Sequence, residues 1–299
     1  MDEKYEVIII GAGIAGITAA IYAARKRMKF LLISKDMGGQ INLSGEIENY
    51  PGFKHMTGIE FTKNLMEQME YNEIKIESGI VENIEKEGEG FIVKTDKSSY
   101  KTATVIVASG ARARKLNISG EDKFANKGVA YCAICDGPLF KDKVVVVIGG
   151  GDSALEAVDF LMNIAKKIYL LNIEDEIKGQ EYLKERVLDQ DKVEVINNAR
   201  TTEIFGEQFV KGLRYEKDGE IKELECEGIF VEIGRVPNTK FVKGLVDMDE
   251  QNHIKIGKYC KTSVNGIYAA GDVTDIYEYQ YVIAAGQGCI ALLNAAKKI

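Results

Sequence analysis

YEVIIIGAGIAGITAAIYAARKRMKFLLIS, residues 5–34, decides the fold. Its first six residues form an apolar run of the kind buried on both faces of a parallel sheet. GAGIAG follows, with Gly11, Gly13 and Gly16, then the alanine-rich stretch ITAAIYAARKR and a second apolar run, KFLLIS. Strand, glycine turn, helix and strand make one β-α-β unit. Gly11 permits the tight turn, Gly13 lets a pyrophosphate approach the backbone, and Gly16 allows close helix–strand contact. The helix start offers unpaired N–H groups to the phosphates. The second strand ends in Ser34, not in the acid that commonly meets a ribose 2′-OH.

The pattern returns at residues 143–172, KVVVVIGGGDSALEAVDFLMNIAKKIYLLN, where Gly149, Gly151 and Ala154 take the three fingerprint positions. Each unit is followed by short strand-and-turn segments and then another buried strand: residues 90–111 after the first, residues 193–234 after the second. The fold expected is α/β, with two Rossmann-like, three-layer dinucleotide-binding domains, the second inserted into the first. The charged stretch around 200–225 reads as a hairpin with its polar face in water.

Length and composition agree. A chain of 299 residues holds two domains of ordinary size. Hydrophobic content of 45% and charged content of 28% belong to a globular protein, and a net charge of −7 gives no reason to expect nucleic acid or an anionic membrane. MDEKYE lacks the positive start of a signal peptide, and no apolar run approaches the ~20 residues of a membrane span. A cytoplasmic setting is expected. Five cysteines, of which only Cys132 and Cys135 are close, argue against a secreted disulfide framework. With two histidines and no cysteine–histidine cluster, no metal site is expected.

VAYCAICDGPLF, residues 129–140, carries a different chemistry. Two thiols separated by two residues can close a disulfide ring where a turn brings them together. Asp136, directly after Cys135, is a candidate proton donor and acceptor for a departing thiolate. Half of a zinc knuckle would need a second ligand pair, and none is spaced for it.

Taken together, GAGIAG, GGQI, ENYPGF, ASGA, CAICDGP, GGGDSALE, GRVPNT, GIYAAGDVTD and AAGQGCIALL stand in the order of the low-molecular-weight thioredoxin reductases, which the chain resembles along nearly its full length. The resemblance implies an FAD domain at 1–115 and 246–299, with residues 116–245 forming an inserted NAD(P)-like domain that carries the redox disulfide. It implies that Gly11, Gly13, Ile14, Ala15 and Gly16 hold the FAD pyrophosphate, with Ser34 nearby. Gly38, Gly39, Gln40, Asn49, Ala108, Ser109 and Gly110 would line the cofactor, with Gly271, Asp272 and Gln280 completing the set. Tyr279 and Tyr281 depart from the arginine and small residue that often flank this glutamine. Cys135 would face the flavin and Cys132 would attack thioredoxin or a thioredoxin-like protein. A homodimer is implied as well.

The electron donor is where the pattern breaks. NADPH-using relatives follow the second strand with His-Arg-Arg and a later arginine, which grip the 2′-phosphate. Here Asn172, Ile173 and Glu174 stand in those places, with Lys178 at the later one. Two missing charge-assisted contacts, at about 1.5–3 kcal/mol each, lower NADPH affinity by orders of magnitude. The chain is most similar to the ferredoxin-dependent flavin thioredoxin reductases, so reduced ferredoxin is the donor expected. Arg25, Lys26, Arg27 and Lys29, or Arg112, Arg114 and Lys115, could dock that acidic protein. NADH, with Glu174 on its ribose, is the alternative. A dithiol oxidase passing electrons to oxygen is the alternative of another class, and the CxxC–Asp sequence speaks against it.

Overall fold

The computed structural model describes residues 4–44 and 46–299. The chain forms two compact units, one comprising the residues up to Arg112 together with Val236–Ile299, the other Ala113–Arg235. The second is an insertion in the first, and the architecture is α/β with a parallel sheet in each unit.

In the first unit, strand Lys4–Ala12 lies between Phe30–Met37 and Ser99–Val107, parallel to both. Ile76–Ser78 extends the sheet on one side. On the other, Ile267–Ala269 joins Ser99–Val107 in parallel, while Gly90–Thr95 and Val81–Glu87 add an antiparallel wing. Val7, Ile8 and Ile9 are wholly buried, as an apolar run covered on both faces must be. Helix Ile14–Arg25 buries Ala19, Ala20 and Ala23. Helix Tyr281–Ala295 packs on it so closely that a side chain at Gly288 would run into the Ala15 carbonyl.

In the second unit, five parallel strands run in the order Val129–Ala130, Gly228–Val231, Val144–Ile148, Lys167–Leu171, Val193–Ile196. Helix Asp152–Leu161 covers the sheet through Ala154, Leu155, Ala157, Val158 and Leu161. The 200–225 region is a three-stranded antiparallel meander, Arg200–Gly206, Val210–Lys217 and Glu220–Glu225, rather than a hairpin. The sequence underestimates it because the first of these strands buries only Thr201 and Ile204, too few for a clear alternation.

Residues 236–245 pack with the first unit, ten residues ahead of the boundary drawn from sequence. Val242 is buried with Ile8, Val105 and Val107, and the Asn238 N–H donates to the Gly110 carbonyl at 2.9 Å.

Candidate active site

Within the inserted unit, Cys132 and Cys135 form a disulfide with their Cα atoms 5.3 Å apart. The chain leaves strand Val129–Ala130, and the single helical turn Ala133–Asp136 begins at once. That turn folds the second thiol back on the first. The Cys135 N–H donates to Cys132 Sγ at 3.2 Å, and the Asp136 N–H donates to the Cys132 carbonyl at 3.0 Å. Gly137 lets the turn lie on helix Asp152–Leu161, where an added Cβ would sit 2.9 Å from the Phe160 ring. Both cysteines are half-buried, whereas Ile134 and Leu139 beside them are exposed. Burial raises the Asp136 carboxyl to about 6, so near neutrality it can hold or release a proton.

The expected cofactor residues meet in the first unit. Gly11 has φ +105°, and a Cβ there would run into the Ala108 carbonyl. Gly13, by contrast, has no atom within 4 Å of where its Cβ would be. It opens on the start of helix Ile14–Arg25, where Ile14, Ala15 and Gly16 supply the first turn. The Gly38–Gln40 loop comes up against it: the Gly38 N–H donates to the Ala12 carbonyl, and a Cβ on Gly39 would lie 3.6 Å from Gly13 Cα. Gly271 rests on Ala15, with half-buried Asp272 next to it. Asn49 donates to Gln280 at 3.2 Å, which links two sequence-distant candidates. Ser109 donates to the Asn238 carbonyl, and Gly110 is open. Ser34 has its hydroxyl engaged, accepting from the Ala12 N–H and donating to the Asp36 carbonyl.

Residues beyond the expected cofactor set also shape the site. Gln287 accepts the Gly271 N–H at 2.6 Å and fixes the Gly271–Asp272 corner, a role its place in AAGQG could have suggested. Tyr281 donates to the Gln40 carbonyl at 3.3 Å, so the departure from a small residue there becomes a contact to the loop. Glu232, whose carboxylate accepts the Ala133 N–H at 3.3 Å, has no signal in the sequence.

The end of strand Lys167–Leu171 differs from the first unit's. Asn172 is buried, and its carboxamide donates to the Glu174 and Glu176 carbonyls and to Asn197 while accepting the Glu174 N–H. Ile173 is exposed, and Glu174 pairs with Lys178 at 3.4 Å. Among the described residues no group of three or more His, Cys, Asp and Glu side chains could hold a metal ion, and no helix is long and apolar enough to cross a membrane.

Residues 5–296 match the family model of the pyridine nucleotide-disulphide oxidoreductases. The F component of alkyl hydroperoxide reductase from Staphylococcus aureus is 43% identical over 297 residues, 98% of this chain. The chain spans 59% of that relative's length. Thioredoxin reductase of Streptococcus pyogenes superposes with a TM-score of 0.93 at 36% identity, covering 100% of this chain and 99% of the other. A ferredoxin-flavin thioredoxin reductase from Clostridium acetobutylicum gives a TM-score of 0.55 at 33% identity, over 100% and 99% of the two chains. The open space at Gly13, with Gly39 beside it at the start of helix Ile14–Arg25, fits the FAD of these flavoproteins. With that match over nearly its whole length, the chain belongs to the pyridine nucleotide-disulphide oxidoreductase family and is an FAD-binding flavin disulfide oxidoreductase.

Proposed function

We propose that the chain reduces the disulfide of thioredoxin or a thioredoxin-like protein through Cys132 and Cys135. The observation that carries this reading is the Cys132–Cys135 disulfide on a half-buried turn, with Asp136 beside it and exposed Ile134 and Leu139 offering an apolar landing for a partner. Bound FAD supplies the two electrons that open the disulfide. The Cys132 thiolate attacks one sulfur of the partner disulfide and forms a mixed disulfide. Cys135 then attacks Cys132, re-forms the internal bond and releases the partner as a dithiol. The two protons of the reduced pair pass to the partner's sulfurs, and Asp136 exchanges one at the departing thiolate. Cys135→Ser should keep FAD bound and lower turnover at least about a thousandfold; substantial residual disulfide reduction would remove Cys135 from this role.

Reduced ferredoxin is the proposed donor. In support, the strand end offers Asn172, Ile173 and Glu174 in place of guanidiniums, and the Asn172 side chain is taken up by its own loop. Arg25, Lys26, Arg27 and Lys29 supply a basic cluster for an acidic partner. NADH is the second reading. The openness of Gly151, whose added Cβ would find only the Lys178 carbonyl at 3.9 Å, favours it. Anaerobic reduction of the bound flavin by NADPH, NADH or reduced ferredoxin separates the donors, and rapid bleaching by NADPH would overturn both. A cytoplasmic homodimer completes the proposal. Val282, Ile290 and Leu293 leave an apolar stripe exposed on helix Tyr281–Ala295, which a second copy could cover.

A further inference from the structure

We infer that Glu232 is a positioning residue of the dithiol: through the Ala133 N–H it holds the start of the dithiol turn, and its charge governs how readily Cys132 ionises. The inference rests on the disulfide-reductase reading and adds to it a residue that tunes the attacking thiol.

The placement follows from the sheet. Strand Gly228–Val231 lies between Val129–Ala130, which leads into Cys132, and Val144–Ile148, which leads into the second glycine turn. Glu232 therefore emerges where both turns start. Its N–H donates to the Ile148 carbonyl at 2.8 Å, and its own carbonyl lies so close to Gly149 that no Cβ fits there. With the backbone fixed against one turn, the side chain reaches the other and accepts the Ala133 N–H at 3.3 Å. Ala133 is buried and directly follows Cys132, so the carboxyl is anchored at the residue next to the one whose sulfur must carry negative charge.

The groups facing Glu232 come from three neighbouring segments. Burial raises its carboxyl most. Arg235 and the Ala133 N–H pull it down, while Glu156 and Asp136 push it up, leaving it at about 7. Two-electron reduction of the disulfide leaves two sulfurs with one or two protons between them. A charged Glu232 opposes a thiolate at Cys132, and a protonated one does not. As pH rises through neutrality the carboxyl ionises and holds back thiol ionisation. The attacking sulfur then stays protonated to higher pH than the Cys135 N–H alone would allow.

The test reads the thiol directly. In FAD-loaded protein carrying Cys135→Ser, alkylation of Cys132 by iodoacetamide is followed from about pH 5 to about pH 10, with the peptide containing Cys132 quantified by mass spectrometry. Glu232→Gln keeps an acceptor for Ala133 and removes the charge. It should lower the ionisation midpoint by about one unit and speed alkylation at neutral pH up to about tenfold. Glu232→Ala, which loses charge and acceptor together, should also lower it. An unchanged or raised midpoint in the glutamine variant overturns the inference. So does a shift confined to the alanine variant, which would make the hydrogen bond and not the charge responsible. Bound-flavin absorbance checks that each variant is folded. Because iodoacetamide needs neither an electron donor nor thioredoxin, a wrong substrate assignment would leave this result standing, and failure here would leave that assignment untouched.

Discussion

The two glycine turns are built alike and surrounded differently. Gly11 and Gly149 both have positive φ and carbonyls pressed against them, from Ala108 and Glu232 respectively. Gly13 and Gly151 both open on a helix start. The divergence begins at the end of the following strand. After Ser34 the chain turns so that the Gly38 N–H donates to the Ala12 carbonyl and Gly39 comes up beside Gly13, which stays open. After Leu171 the Asn172 carboxamide packs against Gly150, where a Cβ would collide with it, and ties down residues 174–176. Lys178 donates its N–H to the Gly150 carbonyl, and Gln180 donates to Asp152, the first residue of the helix. Packing alone demands the first glycine of each motif. What each turn can bind is decided some twenty residues later.

The sharpest way to break the comparison is to fill the second glycine of each turn. Gly13→Val has room in the protein and none beside a pyrophosphate, so the chain should fold and hold FAD on the order of a hundredfold more weakly. Gly151→Val should leave flavin content unchanged and slow flavin reduction by NADH alone. Flavin titration of both proteins decides it: FAD retained in the Gly13 variant would move the pyrophosphate elsewhere.

Restoring charge at the second strand end tests the donor side. Ile173→Arg with Glu174→Arg replaces an exposed apolar residue and an acid, and frees Lys178 from its pairing at 3.4 Å. Stopped-flow reduction of the flavin by NADPH should rise about tenfold over the parent, with ferredoxin-driven reduction unchanged. If NADPH reduction does not move, the missing arginines are not what limits that cofactor.

Much of this was legible because local chemistry and global fold agree. The runs YEVIII and VVVVI could only be strands covered on both faces, and CAICDG marks the disulfide by its spacing. The meander at 200–225 reads as a hairpin because its first strand buries only Thr201 and Ile204. Residues 236–245 read as part of the insertion, yet Val242 belongs to the core around Ile8, a long-range contact that no local pattern announces. Glu232 was invisible for a similar reason. Nothing in FVEIG marks it, and its meaning comes from a strand paired on one side to the dithiol strand and on the other to the glycine-turn strand.

The last difference expected is a pH dependence of stability that comes from the dithiol turn of the inserted unit. Burial raises the Asp136 carboxyl from 3.8 to about 6 in the folded protein. A carboxyl raised by folding stabilises the fold only while protonated. Below the unfolded value there is no penalty; as pH climbs toward the folded value the penalty grows, and above it the penalty is constant. Asp136→Asn removes the ionisable group. Relative to wild type, the variant should therefore gain about 2 kcal/mol between about pH 4 and about pH 8, most of it before the folded value is passed. Urea unfolding of the oxidised, flavin-loaded proteins at the two pH values measures the difference. If the variant is offset from wild type by the same amount at both, Asp136 ionises in the folded protein as freely as in the unfolded chain, and its poise near neutrality is lost as an explanation of proton transfer at the dithiol.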